Sequence, residues 1–429
     1  MRVCFVLFLC VGALLAAELR VIKKEASPEQ KVFLLLGGIQ GDEPGGFNAA
    51  ALIASRHYTI TKGNIWVVAN LNQHSILENH RGIYGDMNRK FAALRDNDPE
   101  KKIIEEIKEL IRNDRVEIVL HLHDGSGFYH DTYISALRNP KRWGQSSIID
   151  QEQLDNVPHG DLNGISQRII AEINENLLND LHRYRVRNTN TAVQDKEQQL
   201  SLTFFTINQG KAAFANEASK NLPLRERVYY HLLAIEAMMH YLGIEFSRNF
   251  TLDPQTVQAA IDDPSITIDF ANKISLPINR IKNHITYFPM PKKPLAYHSS
   301  SPIVHLYEKK GTYSIKYGNK TMAWLLPDYF ETDDTLESVQ IILDDSPQQV
   351  ALGSIVRARQ SFRVPKVADD VRVNIIGFSR RNLVSEHDIT IQKDQIESKF
   401  TLDRSGALVR IEFYRGQKFS GMVIVDFEQ

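Results

Sequence analysis

Beyond Cys10 this sequence has no cysteine; the chain's 2 cysteines, Cys4 and Cys10, both lie at its extreme start. A protein that loses that start has no disulfide, no cysteine nucleophile and no zinc ribbon. Net charge is just as scarce. The formal balance is -1, from 51 basic against 52 acidic residues, with both signs spread along the chain. A nucleic-acid protein needs a basic face, so no nucleic-acid partner is expected. Internal repeats and low-complexity tracts are missing, and no apolar run after Ala17 is long enough to span a membrane. What remains is a chain of 429 residues with 43% hydrophobic content. That is enough for about two to four domains with ordinary cores.

Residues 1–17 read as a secretory signal peptide. Met1-Arg2 is a short positive start, Val3 to Leu15 is almost wholly apolar, and Ala16-Ala17 offers small residues before Glu18. The expectation is export to the periplasm, cleavage after Ala17 and no stable membrane insertion.

From Lys31 to Gly243 strand and helix alternate. Buried strands are expected over 31–36, 64–70, 116–121, 202–207 and 212–215, and helices over 46–55, 99–113 and 164–182. In the second helix Ile103, Ile104, Ile107, Leu110 and Ile111 keep the 3.6-residue rhythm. A long last helix has Asn221 near its start, Pro223 in its first turn and Gly243 at its end. The pattern predicts an α/β fold, a mixed, mostly parallel sheet flanked by helices, with ligands at the carboxyl ends of the strands. After Gly243 prolines recur and short β-rich runs take over. Ile303–Glu308 and Thr312–Tyr317 are spaced as a hairpin around Lys309-Lys310-Gly311. Two small all-β domains are expected, 245–330 barrel-like and 331–429 an Ig-like sandwich, behind an enzyme domain over 18–244. The β domains offer surfaces for wall or protein partners.

The polar clusters all follow strands. The strand ending at Leu36 runs into Gly37-Gly38, and Gln40 and Glu43 stand three residues apart on the turn before a helix. Two oxygen donors at a strand end are a usual metal address in an α/β enzyme. Gly85-Asp86-Met87-Asn88-Arg89-Lys90-Phe91 is the most specific string. Its Asn88-Arg89 pair supplies an amide and a planar fork for gripping a free carboxylate. Arg81, just upstream, is available to a developing oxyanion. The strand ending Leu120-His121-Leu122-His123-Asp124 offers His123 as a metal ligand and His121 as a buried, hydrogen-bonded neighbour, the two expected on opposite faces. Ala215-Asn216-Glu217 ends a strand with one carboxylate, placed as a general base.

Together these motifs resemble the funnelin zinc carboxypeptidases, which carry His-x-x-Glu after the first strand, Asp-x-Asn-Arg-x-Phe, a lone His after a later strand and a late Glu. The resemblance covers residues 30–243 or thereabouts. It implies one zinc ion per chain on Gln40, Glu43 and His123. It further implies Arg81 at the oxyanion, Asn88 and Arg89 on the substrate's terminal carboxylate, and Glu217 as base. Gln40 departs from the family's usual histidine. With a leader and two trailing β domains, the set is most similar to the peptidoglycan DL-carboxypeptidases that determine helical cell shape. That resemblance implies cleavage of a muramyl tripeptide to a dipeptide between D-Glu and meso-diaminopimelate.

An amide in place of an imidazole leaves the formal charge of the site unchanged but is a poorer donor to a borderline-soft ion. Asp86 is expected to accept the Gln40 NH₂ and aim the amide oxygen at the metal. Trp143 and Thr203, the latter taken to lie on a strand, are candidates for lining the substrate pocket. His74, His80 and His130 have no ligand spacing, and Tyr229-Tyr230 reads as core. Two other readings fit the same residues: a metal-free pseudoenzyme that binds stem peptides, and a carboxypeptidase for ordinary secreted peptides. Glu217 counts against the first, since a binder needs no base.

Overall fold

The computed structural model describes residues 19–291, 296–380 and 383–427. The expected leader, and with it both cysteines, lies outside the described residues. Among those residues no helix is long and apolar enough to cross a membrane.

A seven-stranded sheet organises the first part of the chain. Its strands are β1 (Ile22–Glu25), β2 (Val32–Gly37), β3 (Asn64–Val68), β4 (Val116–Gly125), β5 (Ser146–Ile149), β6 (Arg185–Asn188) and β7 (Ala212–Ser219), in the spatial order β1-β3-β2-β4-β7-β5-β6. β2 runs parallel to β3 and β4, and β7 parallel to β4; β1 and β5 enter antiparallel. Every residue of β2 and β3 is buried, as a sheet covered on both faces requires. Phe33 and Leu35 enter one core, Leu34 and Leu36 the opposite one. Helices α1 (Pro44–Ala54), α2 (Gln73–Leu77), α3 (Lys101–Arg112), α4 (Leu162–Glu175), α5 (Leu202–Ile207) and α6 (Leu224–Tyr241) complete the layers. On α3 the buried residues Ile104, Ile107 and Ile111 form the stripe that meets the sheet.

Two expectations change here. Residues 202–207 form helix α5 rather than a strand. Ser201 caps it by accepting the Phe204 N–H, and Thr206 bonds back to the Leu202 carbonyl. Leu202, Thr203, Thr206 and Ile207 are buried on one side, so helical spacing serves this β-branched, aromatic run better than alternation. The α/β unit also continues past residue 244. Glu245–Arg248 pairs antiparallel with Tyr58–Lys62, and helix α7 (Pro254–Ile261) packs on α6.

The middle unit has a three-stranded sheet, β8 (Thr267–Phe270), β9 (Ile274–Pro277) and β11 (Tyr297–Ser299). Its four-stranded sheet comprises β10 (His284–Pro291), β12 (Val304–Lys309), β13 (Thr312–Tyr317) and β14 (Lys320–Phe330). Its Phe288, Ile315 and Tyr317 share one continuous core with Phe47 and Ile53 of α1. The last unit is a sandwich of two four-stranded sheets around its own core, which includes Ile341, Phe362, Val373 and Phe413. A bidentate Arg280–Asp426 pair (2.6 and 2.9 Å) ties it to the middle unit.

Candidate active site

The carboxyl ends of β2, β4 and β7, adjacent in the sheet, open into a cleft of about 470 Å³. Gln40, Glu43, Arg81, Asn88, Arg89, His123, Trp143, Thr203 and Glu217 all line it. Backbone space makes this possible. Gly38 sits at φ +78°, and a Cβ there would meet Ile76 Cδ1 at 2.7 Å and the Ala69 carbonyl at 2.9 Å. Gly41 presses on the next loop, where a Cβ would lie 2.1 Å from the Ser75 carbonyl. The chain can therefore leave β2, turn tightly and present Gln40 and Glu43 before α1.

Gln40 is buried. Its Nε2 donates to Asp86 Oδ1 at 3.0 Å, and its Oε1 is buried without a hydrogen-bond partner. Glu43 Oε2 accepts the Asp124 N–H at 3.1 Å and lies 3.1 Å from His123 Nδ1. The other carboxylate oxygen meets Arg81 Nη1 at 3.1 Å and Lys220 Nζ at 3.3 Å. Asp86 takes two further bonds from Arg81, Nη2 at 2.8 Å and Nε at 3.1 Å. Burial opposes the charge on Asp86, but Arg81 and the Gln40 amide outweigh it and hold its carboxyl below the ordinary range.

The two histidines do not face opposite sides. A strand alternates with period two, so positions 121 and 123 share a face. His121 Nδ1 stands 2.6 Å from His123 Nε2, and His121 Nε2 stands 2.7 Å from Thr203 Oγ1 on α5. Burial, reinforced by His123, pushes His121 well down, so it is neutral. A neutral His121 accepts the His123 Nε2–H and donates its own Nε2–H to Thr203. That tautomer leaves a lone pair on His123 Nδ1 facing the Glu43 carboxylate. Two electron-pair donors 3.1 Å apart repel unless a proton or a cation lies between them. For His123 burial works against the proton, but Glu43 and Glu217 more than offset it and draw its titration up.

This donor set fits a divalent cation: a carboxylate and an imidazole meet at 3.1 Å in a cleft also lined by Gln40, whose amide oxygen is buried and unpartnered. Among the described residues no three His, Cys, Asp or Glu side chains form a metal cluster; the further oxygen donor in the cleft is the Gln40 amide.

Glu217 is next to His123 in the register of β7 against β4. Burial above all, with Glu43 and Asp124 adding to it, pushes its carboxyl up to about 8 despite His123 and Arg81. A cation bound nearby would draw it back down. Elsewhere in the cleft lining Arg89 bonds Glu197 Oε1 through Nε at 3.1 Å, and the Asn88 Oδ1 accepts the Leu202 N–H at 2.9 Å. Trp143 lies under the Arg187 guanidinium, 3.6 Å from it to the ring centroid.

Three family models match the chain in sequence. Residues 2–262 match the catalytic part of a carboxypeptidase controlling helical cell shape. Residues 263–331 match the beta-barrel domain of that carboxypeptidase, and 332–428 the C-terminal domain of a metallo-carboxypeptidase. The chain belongs to this family. Among solved structures it is similar to the apo form of the cell shape determinant Csd4 from Helicobacter pylori. The two share 43% identity and a TM-score of 0.90 over 96% of this chain and 100% of that one. A tripeptide-bound form matches equally well. So does an mDAP-bound form of Csd4, described as a D,L-carboxypeptidase, over 95% of this chain at a TM-score of 0.90. No curated protein matches the chain.

Several residues in or against this cleft carry no motif of their own. Lys220, just past β7, bonds Asp42 at 3.0 Å and Glu43 at 3.3 Å. Asp124, fully buried, takes the Gly45 N–H and Arg227 at 2.8 Å each and His231 at 3.1 Å, fixing the start of α1. Arg187 and Glu197 lie on segments far from any motif. The neighbouring Asp124 was visible in the His-x-His-Asp string; the others carried no signal without the fold.

Proposed function

We propose that this chain is a zinc-dependent DL-carboxypeptidase of the periplasm that trims a muramyl tripeptide to a dipeptide by cleaving the D-Glu–meso-diaminopimelate bond, and so remodels the wall and sets cell shape. The observation that carries the reading is the shared cleft. An orphaned amide oxygen, a Glu43–His123 contact and a guanidinium suited to a terminal carboxylate belong to residues that line one cleft. The positive start and apolar run of residues 1–17 support export.

Gln40 Oε1, Glu43 and His123 Nδ1 would hold the zinc ion, which supplies a Lewis acid that acidifies a water and polarises the scissile carbonyl. Glu217 takes a proton from the attacking water and returns it to the leaving amine of diaminopimelate; water is added across the C–N bond, and two products leave. Arg81, placed by Asp86 and Glu43, faces the charge that develops on the carbonyl oxygen. Arg89 and Asn88 hold the substrate's terminal carboxylate, so only a chain end is a substrate. Thr203 acts through His121 by fixing the tautomer of His123, and Trp143 forms a wall of the pocket for the zwitterionic side chain. The two β domains, through surfaces outside the cleft, are free to contact wall or protein partners.

Incubation with muramyl tripeptide and mass analysis tests the reading. Loss of one diaminopimelate is expected. Cleavage of ordinary peptides with the tripeptide left intact would shift the substrate class.

A further inference from the structure

The middle β unit lies outside the cleft, yet one of its edges is bonded to the loop that delivers Arg81. Residues 77–79 are gripped one after another. The Leu77 carbonyl accepts Lys316 Nζ at 2.7 Å. The Glu78 carboxylate takes the Tyr307 hydroxyl and both oxygens meet Lys309 Nζ, at 2.7 and 2.6 Å. Asn79, in the left-handed region at φ 50°, accepts the Asn319 amide at 2.8 Å on its side-chain oxygen. All four donors come from β12, β13 and the turn after β13, a rigid hairpin whose Gly318 (φ +55°) abuts Phe47 of α1 so closely that a Cβ would lie 2.4 Å from its ring.

The gripped loop is also the partner of the metal turn. The Gly41 N–H donates to the His80 carbonyl at 3.1 Å, and Gly41 rests directly on the backbone of Ser75. One residue after His80, Arg81 reaches Glu43 and Asp86. Two contacts therefore separate the β12–β13 hairpin from both the oxyanion arginine and the Gln40 turn. A single exposed ion pair is worth little. Three consecutive residues held by four donors on a stiff hairpin are a different case, since a loop so held has one position for its next side chain.

We propose that the middle β unit is a positioning part of the active centre, with Tyr307 and Lys309 acting through Glu78 to place Arg81 and the Gly41 backbone. The proposal rests on the carboxypeptidase reading above for its kinetic consequence, not for its structural one. It assigns the unit a task in catalysis that partner binding alone would not require.

The test uses the full chain with Tyr307→Phe and Lys309→Met combined, which removes both donors to Glu78. On muramyl tripeptide, kcat should fall about tenfold with KM within about twofold, because Arg81 meets the transition state and Arg89 holds the ground state. Lys309→Arg, which keeps the cation, should retain wild-type kcat. Lys366→Ala, which cuts an exposed Lys366–Asp369 pair in the sandwich, should change nothing. In an Arg81→Ala background the double variant should add no further loss. Hydrogen exchange at the Gly41 amide should speed up about tenfold in the double variant, whether or not the wild type cleaves the tripeptide. Unchanged Gly41 exchange, an unchanged kcat in an active enzyme, or a loss fully additive with Arg81→Ala would each overturn the proposal. An inactive wild type with faster Gly41 exchange in the variant would instead overturn the substrate reading and leave the strut standing.

Discussion

Gln40 and Asp86 are joined by one hydrogen bond, Nε2 to Oδ1 at 3.0 Å, that fixes which end of the amide faces the cleft. An ionised carboxylate only accepts, and Arg81 keeps Asp86 ionised, so the NH₂ must point to Asp86 and the oxygen away from it. The oxygen left over is the buried, unpartnered Oε1. A glutamine so held presents a neutral, unpartnered oxygen within the cleft.

Removing that bond should loosen the metal. Asp86→Ala is expected to weaken zinc binding about 10–100-fold, the usual effect of losing an orienting partner. Gln40→His should bind zinc more tightly than the wild type, because imidazole is the better donor. Competition against a chelator of known affinity reads both changes; a wild type that binds more tightly than Gln40→His would contradict the ligand assignment.

Glu217→Gln keeps the size of the side chain and removes the proton acceptor. Turnover should fall by about 10²–10⁴ with zinc content and tripeptide affinity kept, since general-base catalysis has roughly that worth. Steady-state kinetics beside metal analysis and calorimetric titration of the tripeptide separate these effects.

Arg89→Met should act on binding instead. The guanidinium is mostly sheltered and its partner would be a full carboxylate, so the loss is expected to be about 2–5 kcal/mol, seen chiefly in KM. Amidating the C-terminus of the substrate should cost the wild type a comparable amount and cost Arg89→Met little. Equal losses in both proteins would place the carboxylate elsewhere.

The raised carboxyl of Glu217 carries a stability signature in the metal-free protein. A group that holds its proton more tightly when folded stabilises the fold below its unfolded value of 4.5 and loses that contribution as pH rises toward about 8. Denaturant unfolding of the metal-free chain across that window should show stability falling with pH. Glu217→Gln should flatten the slope, and zinc should shrink it, because a bound cation favours the carboxylate.

The alternating apolar runs announced the sheet, because β2, β3 and β4 are buried on both faces and read as continuous hydrophobic stretches. Gln40 and Glu43 could be placed because they follow β2 near the centre of that sheet, Glu217 because it stands near the end of β7, and Asn88-Arg89 by the pattern of its own string, on a turn well beyond β3. Residues 202–207 were not, since a β-branched, aromatic run is helical only through the Ser201 cap and the burial of one side. The placement of His121 needed only the period of a strand. Arg187, Glu197 and the clasp of Tyr307 and Lys309 on Glu78 are long-range meetings that no local pattern encodes.

Zinc-loaded protein is mixed with muramyl tripeptide, and the products are weighed by mass spectrometry, with a chelator-treated sample alongside. Free diaminopimelate and a muramyl dipeptide in the zinc sample alone are the expected products. An intact tripeptide in a sample that holds one zinc per chain would contradict the account.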